Sequence, residues 1–197
     1  MGITPRQFEQ LQTRTRRAVP VLDLNINASV AHSIILGIDP SVRGTGFGII
    51  RVEKRQVTAL GHGTVRCPAS WERSRCLAQI ARTVRELIQK LRPTACVIEG
   101  LFYAQNFQTA LIMGEARGAS LAAVAEAGLE IFEIAPRKVK QAVVGYGAAQ
   151  KSAVAKMVQR VLRLPELPDA DAADALALAM AYAQSSSRYS FDPPKRV

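Results

Sequence analysis

The run Ser33-Ile34-Ile35-Leu36-Gly37-Ile38-Asp39-Pro40 decides how the rest of the chain is read. Its short, β-branched body reads as a buried strand, and Asp39-Pro40 ends it. Working outward, residues 46–52 and 57–65 read as two further strands, joined near Lys54-Arg55 as a hairpin. From Leu77 the apolar residues fall at Leu77, Ile80, Ala81, Val84, Leu87, Ile88 and Leu91, the spacing of a helix with one buried face. Pro93 stops that helix, and residues 95–98 form a strand that ends at Glu99. Residues 106–127 predict a long helix whose apolar positions wrap most of its circumference. Such a helix must be covered on two sides, one of them its own sheet, and a second subunit is one candidate for the other. A strand over 129–134 follows, then helical segments near 136–143 and 150–162 and a last helix from near Asp169. The pattern is α/β, with a mixed five-stranded sheet flanked by helices.

A chain of 197 residues fits one domain, placed at 33–183. Residues 1–32 carry Arg6, Arg14, Arg16 and Arg17 without sustained periodicity and are expected to be a loosely ordered extension. A transit peptide, an upstream start and a regulatory tail all remain open for them. Residues 184–197 read as a polar tail. The 26 Lys and Arg against 16 Asp and Glu leave a net charge of +10, which suits a polyanionic partner. Cys67, Cys76 and Cys96 are odd in number and show no CxxC spacing, which excludes a disulfide framework or zinc knuckle and points to a reduced, cytoplasmic setting. No apolar stretch approaches the roughly 20 residues of a membrane span. With His32 and His62 the only histidines, a histidine-dependent triad is improbable.

Candidate chemistry gathers on acids. Asp39 and Glu99 each terminate an apolar strand, and ligand sites in open α/β sheets lie outside carboxyl ends of strands. Taken singly, each has an ordinary explanation, Asp39 as a turn cap before Pro40 and Glu99 as a solvated loop acid. Asp171 and Asp174 are three positions apart, on one face of a helix that is otherwise Ala- and Leu-rich. Acids in a first turn also favour the helix dipole, and Asp169 fits that role alone. Four converging acids would repel one another without a cation, and Mg²⁺ suits hard oxygen ligands. The stretch from Arg137 to Arg163 holds Arg137, Lys138, Lys140, Lys151, Lys156, Arg160 and Arg163 with no acid among its charged residues before Arg163. Charge runs are commonly solvated helical faces, but the missing acids and Gly145-Tyr146-Gly147 favour a phosphate-tracking surface. Phe102-Tyr103 could stack on a base or pack into the core. Gly37, Gly44, Gly46 and Gly48 match no nucleotide-binding fingerprint and read as turn and hairpin glycines.

Ile-Leu-Gly-Ile-Asp-Pro at 35–40, Thr-Gly-Phe-Gly at 45–48, Val-Ile-Glu at 97–99, Gly-Glu-Ala-Arg-Gly at 114–118, Val-Lys-Gln-Ala-Val-Val-Gly at 139–145 and Asp-Ala-Ala-Asp-Ala-Leu-Ala at 171–177 together resemble the RuvC family of Holliday junction resolvases. The resemblance runs in order from about Ile34 to about Ala183. It implies an RNase H-like fold and a homodimeric, Mg²⁺-dependent endonuclease that nicks two strands of like polarity at a four-way junction in recombination and repair. Two Mg²⁺ per subunit are implied, with Mn²⁺ as a substitute, and RuvA and RuvB as partners. Carried over by position, Asp39, Glu99, Asp171 and Asp174 are the implied catalytic metal ligands. Lys140, Lys151 and Phe102 are implied DNA contacts, with Arg137 and Lys138 beside them. Ser41 stands where the family commonly has glycine, which implies a strained or altered turn if positive φ is needed there. An RNase H-like nuclease of other specificity and a non-catalytic junction-binding protein stay as alternatives.

Overall fold

The structure, a computed structural model, describes residues 32–54, 56–100, 107–185 and 194–197. Strands β1 (Ile34–Asp39), β2 (Gly44–Glu53), β3 (Gln56–Arg66), β4 (Ala95–Glu99), β5 (Glu130–Ile134) and β6 (Lys195–Arg196) form one sheet in the order β3-β2-β1-β4-β5-β6. The first three run as an antiparallel meander, β4 and β5 lie parallel to β1, and β6 is antiparallel to β5. The sheet thus has six strands where the sequence predicts five. The extra one comes from the expected polar tail, whose Lys195 and Arg196 pair with Glu133 and Phe132. Arg196 also reaches Glu130 at 2.7 Å, so edge pairing plus a charge contact explains an element that has no apolar pattern to announce it.

Helices cover both faces. On one side lie α1 (Arg73–Leu91) and α2 (Phe107–Glu126), packed on each other. On the other lie α3 (Pro136–Val144), α4 (Lys151–Leu162) and α5 (Ala170–Ser185). Side chains alternate across a strand, and that alternation assigns each residue to a layer. Leu36, Ile38, Cys96 and Ile98 join Val84, Ile88 and Val124 in the α1–α2 layer. Ile35, Ala95 and Val97 face α5. The α1 stripe predicted from periodicity is buried at Ile80, Val84 and Ile88, with Cys76 a turn earlier. Helix α2 buries Ala116, Ala123 and Val124 but leaves Leu111 53% exposed, so its outer side is uncovered by the described residues.

Helix α5 is buried along nearly its whole circumference, from Ala172 to Ala183. It can sit so close because the strands beneath it carry no side chains at the contact. A Cβ built on Gly37 would lie 2.0 Å from the Ala175 carbonyl oxygen, and one on Gly46 2.0 Å from that of Asp171. Gly48 faces Leu176 in the same row. These are therefore strand glycines that seat a helix, and the reading of them as turn residues is corrected. Gly46→Ala should cost about 3 kcal/mol or more, because a carbonyl cannot move aside as a flexible side chain does. A thermal unfolding midpoint lowered by roughly 6–12 °C is the expected result for a domain of this size; a shift under 2 °C would contradict this packing argument.

Ser41 does not strain its turn. Positive φ outside glycine is confined, among the described residues, to Lys54, Arg92 and Arg163. The buried Thr45 hydroxyl donates to the Ser41 carbonyl at 2.5 Å and accepts from the Ser41 amide at 3.2 Å, closing the turn without a left-handed residue.

Candidate active site

Alternation and register bring the acids together. Asp39 lies on the same face of β1 as Ile35 and Gly37, and Glu99 on the same face of β4 as Ala95 and Val97. Because β1 and β4 run parallel with Ile38 beside Ile98, both carboxylates leave the same end of the sheet from neighbouring strands. That face is the one α5 covers, and the first turns of α5 bring in Asp171 and Asp174. Asp171 rests directly over β2, its carboxylate 2.9 Å from where a Gly44 Cβ would stand. All four acids line one cavity of about 360 Å³ beside Pro40, Ser41, Met113, Pro136 and Val139, with Lys140 from α3 and Lys151 from α4 in its wall.

The electrostatics show how closely the acids crowd. Burial raises the Asp39 carboxyl, Glu99 and Asp174 raise it further, and its pKa reaches about 8. Burial also raises Glu99, opposed by a hydrogen bond from Asp39 and by Lys151 and Lys140. Asp39 therefore keeps a proton near neutrality and donates it to Glu99. Asp174 is held by the Lys151 ammonium, with Nζ 2.8 Å from Oδ2. Among the described residues, no three His, Cys, Asp or Glu side chains are disposed to cage a metal ion as they stand; Asp39 and Glu99 are hydrogen-bonded to each other and Asp174 is paired with Lys151. The donor set nevertheless fits a hard divalent cation. It is all oxygen, and a carboxyl held protonated at neutral pH by burial and then by its carboxylate neighbours marks a place where added positive charge is favoured.

The other sequence candidates divide. Lys140 and Lys151 are at the cavity. Arg137 and Lys138 are exposed one turn away on α3, and the Arg137 side chain lies across Gly147, where a Cβ would meet its Cγ at 2.4 Å. Phe102 and Tyr103 lie outside the described residues.

The crossover junction endodeoxyribonuclease RuvC family model matches residues 35–182, the span that holds all four acids. The chain belongs to the RuvC family. The RuvC of Akkermansia muciniphila is 44% identical over 161 residues, covering 82% of this chain and 93% of that protein. The RuvC of Vibrio cholerae is 47% identical over 154 residues, covering 78% and 88% respectively. A solved structure of T. thermophilus RuvC in complex with Holliday junction substrate superposes with a TM-score of 0.77 at 32% identity, over 84% of this chain and 100% of that one. The sheet and its helix layers are thus the RNase H-like fold of RuvC, as the resemblance implied. Residues that sequence reading missed in this RuvC-family site are Gly44, Gly46 and Gly48, which admit Asp171 and α5 to the sheet. Their spacing of two within a strand, opposite an alanine-rich helix, is the signal that marks them.

Proposed function

We propose that this chain is a Holliday junction resolvase, a metal-dependent endonuclease whose catalytic carboxylates are Asp39, Glu99, Asp171 and Asp174. The convergence of those four acids in one cavity carries the reading. Asp39 and Glu99 are held by a central pair of strands and Asp171 and Asp174 by a buried helix, so neither pair needs to be ordered when substrate arrives. Mg²⁺ ions bound to these oxygens, two per subunit and replaceable by Mn²⁺, would supply charge neutralisation to the scissile phosphate and the departing 3′ oxygen. Lys140 and Lys151 place ammonium groups at the cavity wall, where they can meet the phosphates flanking the cut. Arg137, Lys138 and the outward charges of α4 extend that positive surface and give affinity that falls with salt. Phe102 is proposed as the aromatic contact near the junction centre. Cleavage leaves a 5′-phosphate and a 3′-hydroxyl, ends that can be resealed.

Paired cuts in strands of like polarity ask for two sites related by a two-fold axis. The exposed side of α2 around Leu111 is our assignment for the homodimer contact, and RuvA and RuvB complete the proposed partners. Among the described residues no helix is long and apolar enough to cross a membrane; a cytoplasmic location is part of the proposal.

One assay separates this reading from its rivals: labelled four-way junction, linear duplex and RNA–DNA hybrid, each incubated with the protein with and without Mg²⁺. Symmetric nicks in the junction alone, and only with the cation, are expected. Equal cutting of duplex or hybrid would make the chain a nuclease of broader choice, and binding without cutting would make it a junction-binding protein.

A further inference from the structure

Two of the three cysteines lie together and take no part in the chemistry above. Cys67 directly follows β3 and Cys76 sits in the first turn of α1, buried at 6% and 0% exposure in one cluster with Val42, Val65 and Ile80. The Cys67 thiol hydrogen-bonds to Cys76; burial and then that bond push its pKa up to about 11, so Cys67 holds its proton. Arg43 grips both residues. Its carbonyl accepts from the Cys67 amide at 3.2 Å, and its Nη1 donates to Cys76 Sγ at 3.4 Å. The same Nη1 donates to the carbonyls of Pro68, at 2.5 Å, and Trp71, at 3.1 Å, which fastens the loop between the cysteines. A guanidinium aimed at one sulfur, with a second thiol already bonded to that sulfur, is the arrangement of an attacking and a resolving cysteine. Cys96 offers a contrast within the same chain: it is fully buried inside β4, in the separate apolar cluster of Leu36 and Ile131.

We propose that Cys67 and Cys76 are a modification site, forming a reversible disulfide when the protein meets a peroxide and stapling the end of β3 to the start of α1. The Cys76 thiolate, its charge met by Arg43, attacks one peroxide oxygen. The O–O bond breaks, giving a sulfenic acid and hydroxide, and the hydroxide takes the proton that Cys76 gave up, leaving as water. The Cys67 sulfur then attacks the Cys76 sulfur, the S–O bond breaks, and the departing hydroxide takes the Cys67 proton as a second water. Two thiols and one peroxide yield one disulfide and two waters, and a dithiol reverses the bond by exchange. The route in is short, because residues 68–70 and 72–75 are all exposed and form a loop and first helical turn that can open locally.

The test uses the full-length protein with hydrogen peroxide, followed by iodoacetamide in denaturant and digestion with trypsin under non-reducing conditions. Cleavage after Arg66, Arg73, Arg75 and Arg82 isolates Cys67 and Cys76 on separate peptides, 67–73 and 76–82. The expected product is these two peptides joined, lighter than their sum by two hydrogens, with both thiols lost about tenfold or more faster than that of Cys96. Dithiothreitol should restore both, Cys67→Ser or Cys76→Ser should abolish the joined peptide, and the oxidised wild type should melt higher than the reduced. Survival of both thiols as long as Cys96, their separate conversion to sulfinic acids, a link between two chains, or an unchanged melting temperature in the linked protein would each overturn the proposal.

Discussion

Asp39→Asn leaves four-way junctions bound and uncut: that is the expected result, with cleavage in Mg²⁺ down about a thousandfold or more. Asparagine keeps the shape of the side chain and its place at the end of β1, so the strand, the cavity and the lysines around it are preserved. It cannot carry the negative charge that a cation needs, and charge stabilisation of the phosphoryl group is worth several kcal/mol, with each 1.4 kcal/mol a factor of ten in rate. Affinity should change little, since it comes from the basic surface, which positions DNA without cutting it. Gel-shift titration and single-turnover nicking on one labelled junction read the two quantities separately. Nicking by the variant at a rate near that of the parent would remove Asp39 from the catalytic set.

Stability in metal-free buffer should fall as pH rises from about 4 to about 8. The Asp39 carboxyl titrates near 8 in the folded protein against an ordinary 3.8, so between those values the folded chain holds a proton that the unfolded chain has released. Bound protons favour the fold at low pH, and that stability is lost as pH climbs through the folded pKa. Glu99 is raised as well and adds the same sign. A shift of this size amounts to an effect on the order of several kcal/mol. Asp39→Asn, which is neutral at every pH, should flatten most of the slope. Millimolar Mg²⁺ should also flatten it, because a cation binds the charged carboxylates and reverses their preference for protons. Melting temperatures from about pH 4.5 to about pH 8.5, in chelator and in Mg²⁺, check both statements. Parallel slopes in the two proteins would show that Asp39 is not the group responsible, and parallel slopes with and without Mg²⁺ would speak against cation binding at these acids.

Much of this architecture is legible in the sequence because the signals are local. The stretch from 95 to 98 reads as a strand from a short apolar run after Pro93, and β4 is Ala95–Glu99. The stripe at Ile80, Val84 and Ile88 reads as one buried helical face, and it is. The four acids are found by their positions, two at strand ends and two on one helical face, and the structure places them in one cavity. What escapes local reading depends on pairing across the chain. Lys195–Arg196 carries no apolar pattern, so only contact with the edge of β5 makes it a strand. Gly37, Gly46 and Gly48 look like turn residues until α5 is laid across them, because what they provide is the absence of a side chain at a contact made by residues over a hundred positions away.

By itself the sequence determined the class of the fold, the order of its main elements, the four acids as candidates and the positive charge that suits a polyanion, all of which follow from periodicity, residue chemistry and composition. Only the tertiary structure decided that Asp39 and Glu99 share a proton, that Lys151 is the partner of Asp174, that Asp171 lies against a row of strand glycines, and that Cys67 and Cys76 are neighbours under Arg43. The reason is distance along the chain. Periodicity reports which way a residue faces within its own element, whereas a proton shared between two carboxyls or a hydrogen bond between two thiols depends on separations of a few ångströms that are set when the elements pack.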